Sequence, residues 1–125
     1  MIFDKAATIA ENTPFDELGP SDAGDGFDLQ EYIGLPPIGE GEPIQCFLSG
    51  KGLVAGVAPF ELVIYGDNAI DGNFTVADMT ITIGAVAINS GGLHFALPSN
   101  VSPFIKAGLT GFTAGTYSVR VVLKA

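Results

Sequence analysis

The segment Thr116-Tyr117-Ser118-Val119-Arg120-Val121-Val122-Leu123-Lys124 sets the fold class. Tyr117, Val119, Val121 and Leu123 fall on one side of an extended chain, and Thr116, Ser118, Arg120, Val122 and Lys124 on the other. Period two in β-formers predicts a strand with one buried face. Working outward, Phe60–Tyr65 reads as a second strand, closed by Gly66-Asp67-Asn68. Met79–Asn89 alternates less strictly and predicts a strand buried on both faces, or two short strands broken at Gly84. Ile44–Leu48, Leu93–Leu97 and Phe104–Leu109 complete a set of about six. Glycine and proline punctuate these runs, and no ten-residue stretch carries a helical stripe without a breaker. Short strands divided by such turns predict an all-β sandwich or barrel.

The chain has 125 residues, the size of one domain built on one core. It is 47% hydrophobic, yet no apolar run approaches the roughly 18–20 residues that a membrane helix needs. Met1–Lys5 has neither a basic n-region nor an apolar h-region, so no export signal is expected there. Ten of the 14 acids lie in residues 1–42 beside one base, Lys5, and residues 43–125 are neutral overall. Phosphate contacts need basic groups, which excludes nucleic acid as an expected partner. Residues 1–42 are acidic and rich in Gly and Pro. They read as an extended arm or loop with scattered apolar anchors and one strand near Phe27–Ile33, ahead of a β core over 43–125.

Residues with chemical potential are few. His94 is the single histidine and sits between Leu93 and Phe95 on an expected strand. Ser99 and Ser102 flank Asn100 in a loop bounded by Pro98 and Pro103, without the Gly-x-Ser-x-Gly elbow, and a strand histidine facing solvent or a subunit contact is the expected reading of His94. Cys46 lies in an apolar run and reads as a buried thiol, because a reactive cysteine needs an electropositive site. One His and one Cys cannot close a zinc site. Asp67, Asp71 and Asp78 occupy positions one, five and twelve of a calcium-like loop, but Ala69 supplies no ligand oxygen at position three. The run Asp22–Asp28 gathers three further carboxylates. Both read first as solvated turns, with calcium the weaker alternative. Asn73-Phe74-Thr75 and Asn100-Val101-Ser102 match glycosylation acceptors and are read as chance matches in a chain without export. No catalytic set and no cofactor are expected.

The start MIFDK, Asp28-Leu29 ahead of Ile38-Gly39-Glu40-Gly41-Glu42-Pro43-Ile44, Leu97-Pro98, Ser102–Leu109, and a last strand from Tyr117 to Leu123 together resemble the tailed-phage capsid cement proteins, also called decoration proteins. The resemblance follows the chain in order and spacing and is poorest over residues 50–90. It implies a jelly-roll-like antiparallel β-sandwich with an extended acidic N-terminal arm. It also implies a non-enzymatic homotrimer, made in the bacterial cytoplasm, that sits on the outside of the expanded head and clamps the major capsid protein without membrane or cofactor. Ile2, Phe3, Phe15 and Leu18 are then the candidates for capsid-gripping residues of the arm. Two other functions remain open: another virion β-protein (a head-fibre base, tail or receptor-binding component) and a small carbohydrate-binding β-sandwich.

Overall fold

The structure, a computed structural model, describes residues 2–20, 24–29, 44–84, 87–98 and 101–123. These residues form eight strands and one helical turn. The strands are β1 (Ile2–Pro14), β2 (Phe27–Asp28), β3 (Gln45–Ala55), β4 (Glu61–Asp67), β5 (Val76–Thr82), β6 (Leu93–Ala96), β7 (Phe104–Thr110) and β8 (Phe112–Leu123). The helical turn α1 covers Ala87–Ser90.

All pairings are antiparallel, and they nest. β1 pairs with β8, β2 with β7, β3 with β6, and β4 with β5. Two further pairings, β3·β8 and β4·β7, join these hairpin-like pairs into two four-stranded sheets. Sheet A has the order β1-β8-β3-β6 and sheet B the order β2-β7-β4-β5. The expected all-β sandwich is therefore present.

A single core lies between the sheets. Tyr117, Val119 and Val121 of β8 are buried as the period-two reading requires, and Cys46, Leu48, Leu62, Ile64 and Ile105 join them. Each such aliphatic side chain contributes about 1.5–3 kcal/mol of burial. Tyr117 is the largest fully buried residue, and its hydroxyl lies 2.7 Å from the Glu17 carbonyl and 2.8 Å from that of Ala107. That polar tip lets a tyrosine sit in the core and ties the β1–β2 connection to β7.

Three expectations change. The N-terminal arm expected over 1–42 is, over residues 2–14, the outer strand of sheet A, with Ile9 fully buried. Its register shifts between Phe3 and Thr8, Thr8 and Ala10, and Ala10 and Thr13. Bulges of this kind erase period two, so the strand has no alternating signature. Leu29 is likewise fully buried, which places residues on both sides of position 43 in one core. The segment Met79–Asn89 divides near Gly84, but its second part contains α1 rather than a strand. Leu53 N–H donates to Asn89 Oδ1 at 3.1 Å, and Asn89 Nδ2 donates to the Leu53 carbonyl at 2.8 Å, pinning that turn to β3. Finally, β3 runs on from Leu48 to Ala55 through Gly50 and Gly52. A Cβ at Gly50 would overlap the Leu53 side chain, so the glycine makes room for a core leucine inside the strand.

Candidate functional site

Strand direction divides the loops between two ends of the sandwich. β4 runs from Glu61 to Asp67 while its partners run back, so the β4–β5 loop (residues 68–75) and the stretch before β7 meet at one end. The β3–β4 loop (residues 56–60) and the β7–β8 turn at Gly111 meet at the other.

Among the described residues, the first end holds a cluster of polar side chains whose internal order sequence spacing did not announce. Ser102 N–H donates to Asp78 Oδ2 at 2.8 Å, and Ser102 Oγ donates to Asp78 Oδ1 at 3.2 Å. Asp78 is on β5 and Ser102 precedes β7, so this pair bridges across β4 at Gly66. A Cβ at Gly66 would overlap both the carboxylate and the hydroxyl. Beside it, Asp67 Oδ1 accepts from Ala69 N–H at 3.1 Å and Asp67 Oδ2 from Phe74 N–H at 3.4 Å. These backbone donors, Ala69 first and Phe74 second, hold the Asp67 carboxyl below its ordinary pKa of 3.8. Phe74 adopts a left-handed backbone (φ 51) and is buried at 2% exposure, with Lys106 Nζ 4.9 Å from its ring centroid. Burial of the ring, together with the cation–π contact, offsets the backbone strain. A shallow cleft of about 280 Å³ opens here, lined by Gly66, Asp67, Asn68, Val76, Asp78 and Ser102.

The arrangement is a structural tie. Asp78 directs both oxygens at Ser102, and Asp67 directs both at the loop's own N–H groups. Among the described residues no three His, Cys, Asp or Glu side chains come together to hold a metal ion. Asp71 is exposed on the loop. Of the Asp22–Asp28 run, Asp25 and Asp28 are described, and Asp22 lies outside the described residues.

His94 lies elsewhere, exposed on β6 in sheet A. Its ring is 4.7 Å from that of Phe47, its register partner on β3. Phe95, the next residue, faces the core. The histidine is thus a cross-strand partner on the outer face and no neighbour of the Ser102–Asp78 pair. Ser99 and Asn100 lie outside the described residues, as does the Ile38–Pro43 turn that contributes to the resemblance. Cys46 is fully buried, and burial pushes its thiol up to about 12, which keeps it protonated and unreactive at neutral pH.

The four proposed capsid-gripping residues fall at different places. Ile2 and Phe3 are register partners of Leu123 and Val122 in sheet A. Phe15 is partly buried against the core. Leu18 is partly buried on the outside of sheet B, where a Cβ at Gly108 would come within 2.7 Å of its Cδ2. No helix among the described residues is long and apolar enough to cross a membrane.

The second end has a different chemistry. Six consecutive residues, Val54-Ala55-Gly56-Val57-Ala58-Pro59, are all exposed, with Val57 at 84% and Val54 at 51%. None carries a polar side chain. Backbone and threonine hydrogen bonds nonetheless fix the loop. Gly56 N–H donates to the Gly111 carbonyl at 2.7 Å, Thr110 Oγ1 to the Pro59 carbonyl at 3.1 Å, and Thr113 Oγ1 to the Val54 carbonyl at 3.4 Å. Gly111 has φ +93, and a Cβ there would come within 2.6 Å of the Pro59 carbonyl, so only glycine suits this close approach.

No protein-family model matches the chain, and no curated protein matches it either.

Proposed function

We propose that this protein is a structural component of a virion: a capsid cement protein that binds the outside of the expanded head of a tailed phage as a homotrimer. It would bridge neighbouring major capsid subunits and catalyse no reaction. The observation that supports this most directly is the nested strand order, β1-β8-β3-β6 facing β2-β7-β4-β5. It agrees with the jelly-roll arrangement that the sequence resemblance implies. The quoted motifs also fall at the matching boundaries. Leu97-Pro98 follows β6, Pro103 precedes β7, Gly111 separates β7 from β8, and Tyr117–Leu123 closes the chain's last strand.

The mechanism is mass action. A protein that binds only the assembled shell stabilises that shell by its binding free energy, with no chemical step. A sandwich with one continuous core supplies a rigid body for this task, and little ordering cost is incurred on binding. Because β1 belongs to sheet A, the capsid grip falls to exposed surfaces of the folded sandwich rather than to a detachable arm. Co-sedimentation of the purified protein with expanded and unexpanded heads tests the proposal. Saturable binding to expanded heads alone supports it, and absence from the pelleted heads at micromolar concentration refutes it.

A further inference from the structure

Aspartate isomerises most readily when glycine follows it. Glycine has no side chain to hinder attack by its own amide nitrogen, and it leaves the backbone free to turn that nitrogen toward the carboxyl group. The chain holds the dipeptide twice, at Asp25-Gly26 and Asp71-Gly72, and both aspartates are exposed. The fold restrains the two glycines differently. Gly26 is buried, and its N–H donates at 2.7 Å to the carbonyl of Ile70 in another loop. The Phe74 ring stands where a Cβ of Gly26 would lie, and Phe74 is itself 2% exposed. Freeing the Gly26 amide therefore requires two loops to part around a buried ring. Gly72 is half-buried, and its N–H donates at 3.0 Å to the carbonyl of Ala69. Freeing that amide undoes a single turn next to the exposed stretch 68–71, a local opening of low cost. Position 72 also has no room for a larger residue, because the Asp67 carboxylate occupies the place of its Cβ. The fold thus demands at position 72 the residue that leaves Asp71 most reactive.

We infer that Asp71 is a site of spontaneous isomerisation to isoaspartate in the folded protein, and that the fold protects Asp25. The Gly72 amide nitrogen attacks Cγ of the protonated Asp71 carboxyl group. An N–Cγ bond forms and a Cγ–O bond breaks, and the departing hydroxyl takes the amide proton and leaves as water. Water then opens the resulting succinimide at either carbonyl, which restores aspartate or gives the β-linked isoaspartate. The water lost is the water regained, so the mass is unchanged and no oxidant or reductant takes part. In the product the main chain runs through the side-chain methylene of residue 71. This lengthens the β4–β5 loop between Ile70 and Gly72 and removes the spacing on which the Gly72–Ala69 turn depends. The inference needs neither a trimer nor a capsid, so it stands or falls apart from the cement reading.

The test is incubation of the full chain for weeks at neutral pH, native and unfolded in guanidinium chloride. Digestion and electron-transfer mass spectrometry follow, because backbone fragments separate the two isomers where mass does not. In the native protein, isoaspartate is expected to accumulate at position 71 about tenfold or more faster than at position 25. In the unfolded chain the two rates are expected to converge. Native protein that isomerises as fast at 25 as at 71, or that stays unmodified at 71 while the unfolded chain reacts there, overturns the inference. So does an equal preference for 71 in the unfolded chain, which would put the cause in the neighbouring sequence and not in the fold.

Discussion

The two ends of this sandwich are built from the same strands and solve the same problem in opposite ways. Both must close loops across four strands and satisfy the backbone groups that the sheets leave behind. At the acidic end, carboxylates do the work: Asp67 organises the β4–β5 loop, and Asp78 holds the approach to β7 through Ser102. At the apolar end, backbone groups and threonine hydroxyls do it, and the side chains of the β3–β4 loop are left facing outward. A polar side chain spent on internal bonds has little left for a ligand. An apolar side chain held outward by backbone bonds has no internal task and is available to a partner. The acidic end is therefore the stabilising end, despite its cleft, and the apolar end is the one suited to contact.

Substitutions should separate the two. Gly66→Ala should have the largest effect, because its Cβ overlaps both Asp78 and Ser102. A loss of about 1–3 kcal/mol in a denaturant titration is expected. A melting curve like that of wild type would mean the tie is loose. Ser102→Ala removes the hydroxyl bond but keeps the N–H bond to Asp78, so about 0.5–1.5 kcal/mol is expected.

Acidification sharpens the contrast further. Asp67 is held below its ordinary pKa of 3.8 by the Ala69 and Phe74 N–H groups, so the folded state favours its charged form. Its stabilisation is complete above that ordinary value and disappears as pH falls through the lowered folded one. Wild type should thus be more stable than Asp67→Asn at pH 7, with the gap closing in strong acid. A gap independent of pH would remove Asp67 from its role. The smallest effect on folding belongs to the apolar end, where Val57→Glu should change stability by no more than about 0.5 kcal/mol.

Sequence made the central strands legible for a plain reason. β4, β6, β7 and β8 are short runs rich in β-formers, alternating over Tyr117–Val121 and more continuously apolar over Leu62–Tyr65, and turn residues bound them. β1 was not legible, because its bulges put Ile9 and Ala10 both inside and break the alternation. The acids that follow from Glu11 onward gave the whole region the composition of a loop. Met79–Asn89 misled for the opposite reason. β-branched and small apolar residues persist past Gly84, whereas α1 is set by Asn89 bonding to Leu53, a contact 36 residues away. The Ser102–Asp78 tie is 24 residues apart in the chain, and no local spacing signals it. His94 was legible as a strand residue, and its partner Phe47 became visible only with the β3·β6 register.

The thermal stability of expanded heads, measured with and without the purified protein, tests the central proposal most directly. Added protein is expected to raise the temperature at which the heads disrupt, with a rise that grows with concentration until the sites are filled. Heads that disrupt at the same temperature with the protein in excess would contradict it.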